Sequence, residues 1–358
     1  MNDVASNAGH SYGARRLTIE LTNTCNLHCS YCLRDEDALY HDRAEFMSMD
    51  LLKRVLGEAS TVAGITEVGF TGGEPTLYPN FSELIETCGT AGIKSSFVTN
   101  GWHFEKLWPT LVSQRDSLSH ISFSIDGATR EKHDHWRGQG SFVRLIRAFS
   151  RCHKASLPFM IKTGIRRDTI EHLEEIAIFA ARMGAAGLNF SHILPTSEGV
   201  ESDSSLNAEQ RRHAEEEIAL LARIFKMKVG IDVGYYNVDP AAPCSPLAGV
   251  SCNIDYKGRL TLCCNLSGFR GAVQQQDIVA DLNQEGFADA YERLALLREL
   301  QLERRRAALV SLANDGPKPD LYIGSPCLFC LQSFGKIPWH ATGGTNINPE
   351  RTLPVARS

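Results

Sequence analysis

The chain has little net charge, no long apolar run and no apolar leader, and each shortage removes a class of function. Lys and Arg total 37 against 42 Asp and Glu, a formal charge of −5, so there is no basic footprint for nucleic acid. No apolar stretch approaches the ~18 residues of a membrane span. Met1 to Gly13 is polar and small and lacks the apolar core of a signal peptide. Together these predict a cytoplasmic protein without nucleic-acid or membrane partners. No internal repeat or low-complexity tract is visible, and the last dozen residues read as a loose tail. The 358 residues, 43% hydrophobic and 22% charged, are enough for one large or two ordinary globular domains.

Cysteine is what the chain has in quantity. Eleven are present, too many for bland core use in a reducing compartment, where clustered thiols point to metals or redox chemistry and not to disulfides. Three fall within Cys25-Asn-Leu-His-Cys29-Ser-Tyr-Cys32. A structural zinc site closes with four ligands, so three thiolates suit zinc only if a fourth ligand comes from elsewhere. A 4Fe-4S cube held by three thiolates leaves one iron open to an outside ligand.

This C-x3-C-x-aromatic-C pattern, with Tyr31 as the aromatic, resembles the cluster loop of the radical S-adenosylmethionine (SAM) enzymes. The resemblance implies that Cys25, Cys29 and Cys32 hold a 4Fe-4S cluster whose open iron is chelated by SAM. It further implies reductive cleavage of SAM to a 5′-deoxyadenosyl radical, which takes a hydrogen atom from a substrate.

From Arg15 to Leu194, strand-like runs (Arg15–Thr22, Ile65–Thr71, Ile93–Val98, His120–Ile125, Phe159–Ile165, Leu188–Leu194) alternate with helical ones. The pattern predicts a parallel sheet with crossover helices, and hence an α/β fold, a partial (β/α)6 TIM-like barrel, with its site at the strands' C-terminal ends. Polar signatures sit at those ends. Gly72-Gly73-Glu74-Pro75 follows the second strand. Read alone it is a plain glycine-rich turn; within the resemblance, its glycines admit a ligand and Glu74 takes the amine of SAM. Asn100-Gly101 after the third strand is a turn or a polar contact to SAM. Ser124 and Asp126 end the fourth strand and, by the same resemblance, approach the ribose or methionyl carboxylate, with Tyr31 near the adenine. Arg137, in His133-Asp134-His135-Trp136-Arg137-Gly138, brings a cation suited to the anionic end of SAM, or forms an ordinary surface ion pair. Lys162 and His192 point to the same rim more weakly.

Beyond a helix at Leu206–Phe225 and a short strand at Lys228–Val233, Pro240–Pro246 breaks the pattern. The expected division is a flexible N-terminus (1–14), a core barrel (15–235), a cysteine-rich α+β domain (236–340) and a flexible tail (341–358). In the third part, Cys244, Cys252, a hairpin expected at Ile254–Tyr256 and Arg259–Leu262, Cys263-Cys264 and Cys327-Leu-Phe-Cys330 supply a four-thiolate site by arithmetic. Ligand type alone leaves zinc and iron–sulfur open. The spacing resembles the SPASM/twitch extension of radical SAM enzymes, in its one-cluster form. That implies an auxiliary 4Fe-4S cluster on Cys244, Cys263, Cys327 and Cys330. Cys252 and Cys264 are left over, as buried small residues, as alternative ligands or as hydrogen-atom donors to a substrate radical. Cys88 and Cys152 read as packing. Phe287–Leu312 reads as one long helix whose Arg304-Arg305-Arg306 run is a solvated face, and Phe334–His340 as a cover for the barrel mouth.

The resemblance implies maturation of a peptide or natural-product intermediate by oxidation, cross-linking or epimerisation. The alternatives are decarboxylation or dehydrogenation of a small sugar or nucleoside, and, in another class, a non-catalytic electron carrier or zinc-ribbon module. A flavodoxin- or ferredoxin-type donor would supply electrons. With 24 residues before Cys25, no fused peptide-binding domain is expected, which favours a small metabolite or a peptide delivered by a separate protein.

Overall fold

Strand β1 (Arg15–Glu20) fully buries Leu17 and Ile19 on one face and turns Arg16 and Glu20 to the other, the two-residue period of a strand. The computed structural model describes residues 15–34, 44–196, 206–270, 275–315 and 321–338. The segments expected to be flexible at 1–14 and 341–358 lie outside these residues, as does the end of the expected cover at 339–340.

Six further strands lie parallel beside β1 in chain order: β2 (Ile65–Thr71), β3 (Lys94–Thr99), β4 (Leu118–Ser124), β5 (Phe159–Ile165), β6 (Gly187–His192) and β7 (Lys228–Val233). The crossovers are α1 (Met49–Ala63), α2 (Phe81–Thr90), α3 (Phe104–Ser113), α4 (Arg130–Arg137) with α5 (Ser141–Lys154), α6 (Leu173–Arg182) and α7 (Ala208–Ile224). Val68, Phe70, Phe97, Phe123 and Phe190 bury against these helices. Phe149 of α5 stacks on Phe159 of β5 with centroids 4.9 Å apart. Cys88 and Cys152 are buried in this core, as expected. The run at Ile170–Met183 divides: a 3-10 turn at Ile170–His172 precedes α6, and Gly184 stops the chain at φ +79°. At the start of α7, Asn207 accepts from the Gln210 N–H while Gln210 reaches back to the Asn207 N–H, a capping box. Asn207→Ala should therefore cost about 1 kcal/mol, read as a lower urea midpoint at unchanged m-value.

The sheet does not end at β1. Strand β8 (Ser251–Ile254) pairs parallel with it, Leu17 opposite Cys252 and Thr18 opposite Asn253. Strands β9 (Arg259–Thr261) and β10 (Ile278–Asp281) follow antiparallel, giving ten strands in the order β10-β9-β8-β1-β2-β3-β4-β5-β6-β7. The result is an open, partial barrel whose sheet is not closed. The first hairpin strand falls earlier than its expected Ile254–Tyr256. The reason is the Asp255 carboxylate, which accepts from the Lys257 and Arg259 N–H groups at 3.0 and 2.9 Å and makes 255–258 a turn. Helix α8 (Phe287–Asp315) then leads to α9 (Leu321–Gly324) and α10 (Pro326–Ser333). Among the described residues no helix is long and apolar enough to cross a membrane.

Candidate active site

The three-cysteine loop leaves the C-terminal end of β1 and lies directly on the glycine-rich loop after β2. The Gly73 N–H donates to Thr22 O at 2.9 Å and the Glu74 N–H to Thr24 O at 2.8 Å. A Cβ on Gly73 would stand 2.0 Å from Thr24 O, and one on Gly72, at φ +130°, 2.4 Å from Thr22 O. The glycines thus let this loop meet the cysteine loop. The sequence reading assigned that freedom to a ligand. Cys25, Cys29 and Cys32 are half-buried and free. Burial pushes the Cys25 thiol up to about 12 and raises Cys29 as well, since a low-polarity surrounding disfavours the thiolate.

Glu74 is buried. Its Oε1 accepts from Thr76 N (3.2 Å), Thr76 Oγ1 (2.5 Å) and Thr99 Oγ1 (2.7 Å), and its Oε2 from Asn100 N (2.8 Å). Burial raises its pKa while these donors pull it back. Asn100 also gives its Nδ2 to Asn26 Oδ1 at 2.9 Å, tying the tip of β3 to the cysteine loop.

The sequence reading aimed Tyr31, Asp126 and Arg137 at a ligand; the structure aims them at one another. The Asp126 carboxylate accepts from Tyr31 Oη, Arg137 Nε and Arg166 Nη1, the last at 2.9 Å. Burial alone would raise this carboxyl, but Arg137, Arg166 and the Tyr31 hydrogen bond outweigh it and hold it far below the usual carboxylate range. Arg166, just past β5, escaped the sequence reading. It is fully buried, pairs also with Asp168 at 3.0 Å, and lays its guanidinium 4.7 Å from the Tyr31 ring and 4.1 Å from the Trp136 ring. Tyr31 lies between Cys29 and Cys32, so this buried ion cluster fixes the cysteine loop. Ser124 is half-buried at the tip of β4, opposite Lys162 in the register.

Across the mouth a second polar set faces inward. Glu20 pairs with Arg34 at 3.0 Å and accepts from Asn253 Nδ2 at 3.0 Å. Lys162 pairs with Asp232 at 2.6 Å, and Ser191 donates to Asp232 at 2.5 Å. Cys264 stands among them: its hydrogen bond with Cys263 lowers its pKa first, with Arg34 and Lys162 assisting against burial. His192 meets Glu215 at 3.1 Å and is buried, a structural contact. Cys252 is opposite Leu17, on the helix-facing side of the sheet and beside Arg298. It packs, and the hydrogen-donor expectation fails for it on that geometry.

Cys244, Cys263, Cys327 and Cys330 are free and near enough to perturb one another. Cys327 and Cys330 feel Cys244, Cys263 feels Cys327, and burial pushes the Cys327 thiol up to about 12. The Gly234 N–H points at Cys327 Sγ at 3.3 Å and Gln301 Nε2 at Cys330 Sγ at 3.6 Å. Among the described residues no three His, Cys, Asp or Glu side chains form a group that could hold a metal ion. The four cysteines are free thiols, a donor type that zinc and an iron–sulfur cube both take. The expectation for Arg305 is overturned: it is buried, within electrostatic reach of Cys244, Cys330 and Cys327, while Arg306 is exposed.

Residues 19–180 match the family model described as the Radical SAM superfamily. Those residues form a radical SAM domain. Similarity to curated radical SAM enzymes extends past it. An AdoMet-dependent heme synthase of Methanosarcina barkeri is 30% identical over 201 residues, 55% of this chain and 56% of that protein. The mycofactocin maturase MftC of Mycobacterium tuberculosis is 27% identical over 295 residues, 80% of this chain and 72% of that protein. This radical SAM chain thus spans just over half of the heme synthase and nearly three quarters of the maturase. Streptococcus suis SuiB bound to S-adenosylmethionine shares the fold, with a TM-score of 0.62 at 16% identity over 78% of this chain and 65% of that one. SuiB bound to its precursor peptide SuiA gives 0.62 at 15% identity over 88% and 70%.

Proposed function

We propose that the chain cleaves S-adenosylmethionine reductively and uses the resulting radical to modify a peptide precursor of a natural product. The observation that carries this reading is the packing of the Cys25, Cys29 and Cys32 loop on Gly72-Gly73-Glu74 at the strands' C-terminal ends, with four more thiols on the adjoining hairpin side. The three loop thiolates would hold a 4Fe-4S cluster and leave a corner for SAM. When bound, cluster and SAM together supply a 5′-deoxyadenosyl radical that takes a hydrogen atom from the substrate.

The chain's own residues orient and enclose. Glu74 Oε2, with one donor from the protein, keeps acceptor capacity for the SAM amine. Asn100 and Ser124 line the adjoining rim. Asp126, Arg137 and Arg166 act through Tyr31, by fixing the loop. Cys264, within electrostatic reach of Arg34 and Lys162, would be the thiol that returns a hydrogen atom to a substrate radical. Cys244, Cys263, Cys327 and Cys330 would hold an auxiliary 4Fe-4S cluster in a twitch-type domain, and a flavodoxin- or ferredoxin-type protein would deliver electrons.

The peptide reading draws on alignment length. The match to the maturase reaches 80% of the chain, whereas the match to the heme synthase covers 55%, so the similarity to the maturase continues where the shorter one stops. The test is anaerobic reconstitution with iron and sulfide, then reduction with SAM. 5′-Deoxyadenosine should form, and its rate should rise several-fold with the right precursor peptide. Absence of 5′-deoxyadenosine from an iron-loaded protein would sink the reading. A rise with a sugar or nucleoside and none with peptides would move the substrate to the metabolite class.

A further inference from the structure

Helix α8 carries one continuous buried face: Phe287, Ala290, Leu294, Arg298, Gln301, Arg305 and Leu309 recur at the three- and four-residue spacing of a helical stripe. Its first half is apolar. In its second half Arg298, Gln301 and Arg305 are 6%, 0% and 2% exposed. Burying a guanidinium and an amide costs several kcal/mol unless partners are found. The partners present are partial. Arg305 Nη2 donates to Asn237 O, yet among the described residues its Nε has no hydrogen-bond partner. Gln301 gives Nε2 to Ser333 Oγ and to Cys330 Sγ, while its Oε1 has none. Among the described residues no carboxylate pairs with Arg305; besides burial, the groups that act on its charge are Cys244, Cys330, Tyr235 and Cys327. A buried cation within electrostatic reach of three of the four thiols calls for something anionic between them.

We propose that Arg305 and Gln301 form the charge-compensating wall of an auxiliary iron–sulfur cluster on Cys244, Cys263, Cys327 and Cys330, and set its reduction potential. This rests on the auxiliary-cluster reading above. A thiolate-held cube is net anionic and gains one more negative charge on reduction, so a fixed cation and an N–H aimed at a ligand sulfur both favour the reduced form. Arg305 would supply the cation, through its charge, from α8. Gln301 supplies the N–H at Cys330, beside the Gly234 N–H at Cys327. Both are positioning residues: they act on the ligands and not on substrate.

The experiment is a redox titration of the anaerobically reconstituted full chain, followed by electron paramagnetic resonance, with iron counted in parallel. Arg305→Gln should keep about eight irons per chain, two cubes. Its auxiliary signal should become harder to reduce by at least tenfold in the one-electron equilibrium constant, about 59 mV. Arg305→Lys, which keeps the charge, should recover most of the shift. Arg306→Gln, one residue along and exposed, should match the wild type. Gln301→Leu should shift the same way by a smaller factor, and it decides the matter should Arg305→Gln lose its auxiliary irons. Eight irons with an unchanged potential in both Arg305→Gln and Gln301→Leu would overturn the proposal alone. A wild type that takes up only about four irons would overturn the auxiliary cluster itself and the proposal with it.

Discussion

Gly73→Ala should lower 5′-deoxyadenosine formation by about 100-fold or more, in a protein that still folds. The added methyl has nowhere to go: its carbon would lie 2.0 Å from Thr24 O and 3.0 Å from Cys25 N, both backbone atoms that no rotamer change can move. The loop after β2 must therefore lift from the cysteine loop, breaking the bonds from Gly73 N to Thr22 O and from Glu74 N to Thr24 O. A displacement of ~1 Å in a positioning element is worth about 100-fold in rate. The core lies on the other face of the sheet, so thermal stability should fall far less than activity. Turnover, iron content and melting temperature check this in one preparation. Wild-type turnover in Gly73→Ala would show that the two loops need not touch.

Asp126→Ala should cost about 3–5 kcal/mol of stability, because it strands buried charge. Arg166 is fully buried and Arg137 nearly so, and both meet at this carboxylate. Asp168 still pairs with Arg166, but it is itself half-exposed and compensates weakly. Tyr31 loses its acceptor and its fixed place between the two guanidinium planes, so the cysteine loop should loosen and load less iron. The pH dependence has a definite sign. The folded pKa of Asp126 is depressed, so its contribution is complete above the unfolded value, about 3.9, and is lost as pH falls toward the lower folded one. The gap between wild type and Asp126→Asn in urea midpoint should be constant from pH 8 to about 5 and close only in stronger acid. A gap that already closes near neutral pH would show that the carboxylate is not held by those two arginines.

What the sequence shows and what it hides follow from the reach of each interaction. The cysteine loop is legible because its ligands are spaced within one turn of chain, and the strand–helix alternation because apolar period is local. Arg166 is not: its carboxylate partner is forty residues upstream, and an arginine after a strand is ordinarily a surface residue. Arg305 was misread because it sits in a run of three arginines, where charge outweighs period; counting fours and threes on from Phe287, Leu294 and Gln301 places it on the buried face. The pairing of β8 with β1 joins residues more than 230 apart, and nothing in either segment names the other. Asp255, by contrast, announces its turn in Asp-Tyr-Lys-Gly, since its carboxylate caps the Lys257 and Arg259 N–H groups.

The parallel pairing of β8 with β1 has a mechanical consequence. Arg16 to Ile19 are held between β2 on one flank and β8 on the other, and the cysteine loop springs from the last rung of that same ladder. Strain on the hairpin is therefore carried by peptide hydrogen bonds into β1, the strand from which the cysteine loop departs. Proteolytic removal of the C-terminal third would bare a row of backbone donors and acceptors along β1, a template for strand addition by another chain. The two sulfur-rich regions are built as one frame, and the separation between them is a matter of strand register.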